Sequence, residues 1–142
     1  MQSIHPVSGS ILKARGSRQN PRNRFDSLET VGFDDGWADT QIAAKVLRTL
    51  VAEELPRRVI SYNRSPDLPF DRSINPYRGC EHGCSYCYAR PSHGYLGLSA
   101  GIDFETRLIA RPKAAIVLRK ELAKPKYMVK PIAIGTNTAP YQ

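Results

Sequence analysis

Apolar positions recur at different periods along this chain, and each period points to a different element. From Thr40 onward, Ile42, Ala43, Val46, Leu47, Leu50 and Val51 repeat at three-to-four spacing until Pro56. A period of that kind, opened by a residue able to cap and closed by a proline, predicts an amphipathic helix. Val59, Ile60 and Tyr62 then give residues 57–63 strand character, followed by a proline-containing loop over 65–70. Residues 106–110 read as a further short strand. Pro112 suits the first turn of a helix reaching Ala123, with Ile116, Val117 and Leu122 on its buried side and Pro125 closing it. Residues 131–135 form an apolar run of the sort found in parallel sheets.

Ahead of these elements the pattern disappears. Residues 1–36 carry Lys13, Arg15, Arg18, Arg22 and Arg24 among glycine, serine, asparagine and proline, with no apolar period, and predict a disordered basic arm. The arginines lack the amphipathic repeat of a targeting presequence. A short acidic counter-run follows at Asp26, Glu29, Asp34 and Asp35. The organisation expected is therefore an arm over 1–36, a helical lead-in over 37–72 and a core over 73–142.

Composition adds limits. A chain of 142 residues suits one domain, and no apolar run approaches the roughly twenty residues that a membrane span requires. The net charge is +8 and the pI near 9.7. Such a balance favours phosphate-bearing partners through salt-dependent attraction, yet the basic residues are spread along the chain and outline no groove.

The cysteines change the picture most. Cys80, Cys84 and Cys87 lie in the run GCEHGCSYCYAR, and the chain has no others. Thiolates two or three residues apart can converge from one loop on a [4Fe–4S] cube, holding three irons and leaving the fourth open to a substrate or cofactor. Gly79 and Gly83 precede two of the thiols, where a tight loop needs conformations closed to other residues. A Cys3His zinc site completed by His82 or His93 is the alternative metal reading. Disulfides fit poorly with an odd count and no signal peptide, a pattern that reads as intracellular. Arg78 and Arg90 flank the loop and, as arginines by default, are expected in solvent.

The stretch SINPYRGCEHGCSYCYARPSHGYLGLSAGIDFETRLIARP resembles the radical S-adenosylmethionine (SAM) superfamily, in a branch similar to spore photoproduct lyase. The resemblance runs over residues 59–142 and ends in PIAIGTNTAPYQ, which is similar to the branch motif GTxTDPYQ. It implies an α/β fold: the incomplete amino-terminal part of a partial (β/α)6 TIM-like barrel, with a first core strand over 73–77 delivering Cys80 and a second over 131–135. It also implies that Cys80, Cys84 and Cys87 ligate the cluster, that Tyr86 packs near the adenine of SAM, and that Gly135, Thr136, Asn137 and Thr138 face its methionine end. At Ala139 the branch usually carries an acidic residue, so one polar contact is missing here.

The chemistry implied is reductive cleavage of SAM to methionine and a 5′-deoxyadenosyl radical, which takes a hydrogen atom from a substrate. A one-electron reductant such as flavodoxin or ferredoxin would supply the electron. The lyase likeness raises a nucleic-acid substrate as a candidate, and the implied location is cytoplasmic. Eight-stranded relatives of such a barrel take about 250 residues. Two core strands then amount to part of a site, so the chain reads as an amino-terminal piece, inactive alone.

Overall fold

The computed structural model describes residues 14–27 and 47–141. In chain order its elements are β1 (Leu50–Glu53), β2 (Ile60–Tyr62), β3 (Arg72–Ile74), β4 (Tyr77–Arg78), a 3-10 helix (Arg90–Leu96), α1 (Ile102–Thr106), β5 (Arg107–Ala110), α2 (Ala114–Leu122) and β6 (Ala133–Ile134). The strands form two mixed three-stranded sheets. In the first, β5 is central, parallel to β1 and antiparallel to β4. In the second, β3 is central, antiparallel to β2 and parallel to β6.

This topology corrects the expected barrel segment. A (β/α)6 barrel needs successive parallel strands, each followed by a helix, in one continuous sheet. Here the strands divide between two small sheets, each with one antiparallel edge, and among the described residues no barrel closes. The strand expected over 73–77 is split at Asn75 and Pro76. Pro76 has no N–H for a ladder, and its carbonyl instead accepts from Arg111 N (3.0 Å). The chain leaves the second sheet at Ile74 and enters the first at Tyr77, with Tyr77 opposite Ala110.

The helix expected from Thr40 to Pro56 is also corrected. Residues 40–46 lie outside the described residues, and Leu50 to Glu53 form a strand whose backbone pairs with β5, Leu50 opposite Arg107 and Glu53 opposite Ala110. All four side chains of β1 are exposed. The apolar spacing here does not report burial, because tertiary pairing overrides local preference.

The first apolar core joins Val59, just ahead of β2, and Ile60 and Ile74 of the second sheet to Ala114, Val117 and Leu118 of α2, with Tyr127 and Ile132 beside them. Burying each such aliphatic side chain contributes about 1.5–3 kcal/mol. The buried face of α2 therefore differs from that expected: Val117 packs inward, whereas Ile116 and Leu122 are exposed. Glu121 lies on the inner face because its Oε2 accepts from the amides of Val59 (2.9 Å) and Ile60 (3.1 Å). A carboxylate so bonded can be buried beside apolar groups. The second core is Cys80, Ala89 and Phe104, with Cys87 and Ala139 packed against it.

Residues 14–27, part of the arm expected over 1–36, lie against the 3-10 helix and the start of α1. Gln19 O accepts from Ile102 N (3.3 Å), Asn23 Nδ2 donates to Gly94 O (3.0 Å), and Pro21 O accepts from Ser99 Oγ (2.6 Å). Asn23 is buried, and the Arg24 guanidinium lies over the rings of Phe25 and Tyr95. Polar contacts of this kind are not counted by hydropathy.

Candidate metal centre

The cysteine loop leaves β4 through Gly79, whose φ of 78° lies in the left-handed region. A Cβ there would come within 2.7 Å of Leu108 Cδ2 and 2.9 Å of Phe104 O, so glycine is required twice over. Gly83 has φ 66° and turns the chain between Glu81 and Cys84. The expectation of glycines at conformationally demanding positions is met at both.

Cys80 donates its amide to Phe104 O (2.9 Å) and is buried against Phe104 and Ala89. Cys87 is half-buried, its amide donating to Cys84 O (3.2 Å), and Cys84 is exposed. All three thiols are free. Among the described residues no three His, Cys, Asp or Glu side chains come together as a metal-holding group. The loop presents three soft thiol donors on one span, with Cys80 turned into the core and Cys84 toward solvent. Convergence on one metal therefore calls for a rearrangement of this loop. In the chemistry of its donors the set fits an iron–sulfur cluster, whose ligands are thiolates.

Of the two histidines considered as a fourth ligand, His82 is adjacent: its Nδ1 is 3.5 Å from Cys80 Sγ. His93 is fully buried, edge-on to Phe104, with Nε2 2.9 Å from Arg107 O. Since a carbonyl can only accept, Nε2 carries the proton, and Nδ1 is left buried without a hydrogen bond. Burial pushes the His93 pKa below its ordinary value, against the opposing pull of the Arg107 carbonyl.

Arg90 corrects the expectation of a solvated arginine. It is buried, and its guanidinium donates to Cys84 O (2.9 Å), Gly83 O (3.0 Å), Ala100 O and Gly101 O (each 3.2 Å), and to Glu105 Oε1. Glu105 is fully buried and also accepts from Gly16 N at Oε2 (3.0 Å). Arg90 thus ties the carbonyls of Gly83 and Cys84 to an internal carboxylate. Arg78 is half-exposed and pairs with Glu54 (3.4 Å), which Arg111 also holds (3.0 Å). The Arg111 hydrogen bond, with the charges of Arg111 and Arg78, keeps the Glu54 carboxyl below its usual range.

The turn after β6 is drawn to the same side of the molecule. Gly135 takes φ 74° and donates to Ile74 O (3.0 Å). Thr136 Oγ1 accepts from Asn75 Nδ2 (3.1 Å), Asn137 N donates to Asn75 Oδ1 (2.8 Å), and Thr138 Oγ1 donates to Tyr77 O (3.3 Å). Tyr88, just past Cys87, donates its hydroxyl to Thr136 O. Asn137 and Thr138 line a cavity of about 320 Å³ together with Asn75, Arg78, Tyr95 and Arg111. The expected cofactor-facing residues 135–138 and the cysteine loop are therefore neighbours. Tyr86 is not drawn in: it is 89% exposed. Ala139, where the branch usually carries an acidic residue, is partly buried against the core containing Cys80 and Phe104.

Sequence reasoning missed Arg90 as an organiser, along with Glu105, Glu54 and the contacts of Arg15 and Gly16. For Arg90 the one local signal is its place three residues after Cys87, where a 3-10 helix starts ahead of Pro91. Nothing local marks Glu105, whose partners lie 15 and 89 residues away.

Over 75 residues the chain is 49% identical to uncharacterized proteins of Mycobacterium bovis and of two strains of Mycobacterium tuberculosis. The match covers 53% of this chain and 22% of each relative, so the chain spans about a fifth of the curated relatives it matches. No protein-family model matches it, and no solved structure matches it. Among the described residues no helix is long and apolar enough to cross a membrane.

Proposed function

We propose that this chain carries the cluster-binding segment of a radical SAM iron–sulfur protein, with Cys80, Cys84 and Cys87 as the ligands of a [4Fe–4S] cluster. The observation that carries the reading is three free thiols spaced CxxxCxxC on one glycine-bent loop, beside the polar turn of residues 135–138. When bound, the cluster would supply the electron that cleaves SAM reductively, generating the radical for hydrogen abstraction from a substrate. The chain's own part is to hold and shield. Arg90 fixes the carbonyls flanking Cys84, and Phe104 and Ala89 keep one side of the site dry. Asn137 and Thr138, lining a cavity with Arg78 and Arg111, offer hydrogen bonds to a polar, charged cofactor end.

On this reading the protein works in the cytoplasm with a flavodoxin- or ferredoxin-like reductant, and a nucleic-acid lesion is the substrate class its resemblance suggests. Anaerobic reconstitution with iron and sulfide tests the assignment. A brown protein absorbing broadly near ~400 nm, as thiolate-bound clusters do, is expected for this chain and for the longer mycobacterial relative, with release of 5′-deoxyadenosine from the relative. A colourless product from both that binds no iron overturns it.

The approach of His82 Nδ1 to Cys80 Sγ favours one second reading, a Cys3His zinc site in a nucleic-acid-binding protein. Stoichiometric zinc in the protein as purified, lost on replacing His82, would select that reading over the first.

A further inference from the structure

The segment 14–27 touches the cysteine loop at one point where neither partner has room for a side chain. A Cβ on Gly16 would lie 1.7 Å from Gly83 O, and a Cβ on Gly83 would lie 2.6 Å from Arg15 Cβ. Backbone therefore rests directly on backbone between the first two cysteines. A second such contact lies further along, where a Cβ on Gly101 would be 2.0 Å from Gln19 O. These approaches seat the segment in a single register, since sliding by one residue places a side chain where none fits.

Two hydrogen-bond routes run from this seat to the loop. Arg15 Nη2 reaches Glu81 Oε1 (2.9 Å), and Arg15 Nη1 donates to Glu105 O (3.1 Å). Gly16 N donates to Glu105 Oε2 (3.0 Å), whose other oxygen accepts from Arg90, and Arg90 holds the carbonyls of Gly83 and Cys84. The stretch from Glu81 to Cys84 is thus gripped from one side by Arg15 and Gly16 and from the other by Arg90.

We infer that residues 14–27 are a strap that positions the cysteine loop, with Arg15 and Gly16 acting on Cys84 through Glu81, Gly83 and the Glu105–Arg90 pair. The strap acts through Glu81, Glu105 and Gly83 and sets the backbone from which the sulfurs project. The inference rests on the cluster-ligand reading only for its purpose: the mechanical coupling belongs to the apo chain and is measured there.

Amide hydrogen exchange on the reduced, metal-free protein provides the test. The amides of Cys80 and Cys87, bonded to Phe104 O and Cys84 O, report the loop, and those of Val117 and Ala123 in and after α2 report the rest of the fold. Gly16→Val cannot seat, and loss of one charge-assisted hydrogen bond corresponds to about tenfold faster local exchange. That change is expected at Cys87, with α2 unchanged. Arg15→Gln, which leaves Gly16 in place, should give a smaller rise of about threefold, and Arg15→Lys, keeping the ion pair with Glu81, should restore the slow rate. Loop exchange unchanged in both Gly16→Val and Arg15→Gln overturns the inference. So does an equal rise in the loop and in α2, or failure of Arg15→Lys to rescue. Should Gly16→Val not fold, the two Arg15 variants decide alone. Failure of both the wild-type chain and the longer relative to bind iron would sink the cluster reading while leaving this coupling intact.

Discussion

Replacing Arg90 by methionine removes five hydrogen bonds but keeps most of the side-chain volume. What remains is Glu105, fully buried, with Gly16 N as its remaining side-chain hydrogen-bond donor. Breaking a buried pair by deleting one partner costs about 3–5 kcal/mol, because the other charge stays buried. Gly16 partly satisfies that charge, so the lower end, about 3 kcal/mol, is expected. For a chain of this size that corresponds to a fall of roughly 10 °C in Tm. Urea unfolding followed by far-ultraviolet circular dichroism, on reduced and metal-free protein, measures it. Adding Glu105→Met to the same chain removes the stranded charge and should recover at least half of the loss. A single-variant cost below about 1 kcal/mol, or a double variant no more stable than Arg90→Met, would refute the claim that this pair organises the loop.

Three further outcomes follow from the same structure. Gly79→Ala meets both a left-handed φ and close contacts with Leu108 and Phe104, whereas Gly97→Ala has a similar φ and nothing within 4 Å; thermal melts should show a cost of about 1 kcal/mol at Gly97 and clearly more at Gly79. Because burial lowers the His93 pKa, the unfolded chain binds the proton more readily. Stability from neutral His93 is then complete above its ordinary value of about 6.5 and is lost as pH falls below it. Urea midpoints from pH 8 to pH 5 should decline for the wild type and flatten for His93→Leu, and parallel curves would contradict this assignment. Finally, Cys84→Ser alters an exposed side chain and should change stability by no more than about 0.5 kcal/mol, while iron content after anaerobic reconstitution falls sharply; unaltered iron would remove Cys84 from the ligand set.

Features that depend on near neighbours in the chain could be read from the sequence. Gly79 and Gly83 stand where their left-handed turns are needed, because that demand comes from a local reversal around Cys80 and Cys84. The period over residues 114–122 correctly announces α2, and β2, β5 and β6 fall within the segments expected for them. Asn75 and Pro76, where the strand over 73–77 is interrupted, are poor strand residues by type.

Only the tertiary structure decided the rest. Leu50 to Glu53 become a strand through ladder bonds to β5, made by backbone groups that every residue but proline possesses, so no side-chain pattern reports them. The split into two mixed sheets likewise follows from which distant edges pair. Arg90, Glu105 and Gly16 meet across separations of 15 and 89 residues, and the burial of Arg90 and Glu105 is tolerable because each satisfies the other. Short-range spacing places the cysteines on one loop, whereas long-range polar contacts decide how that loop is held, since a charge can be buried only where its partner has already been brought.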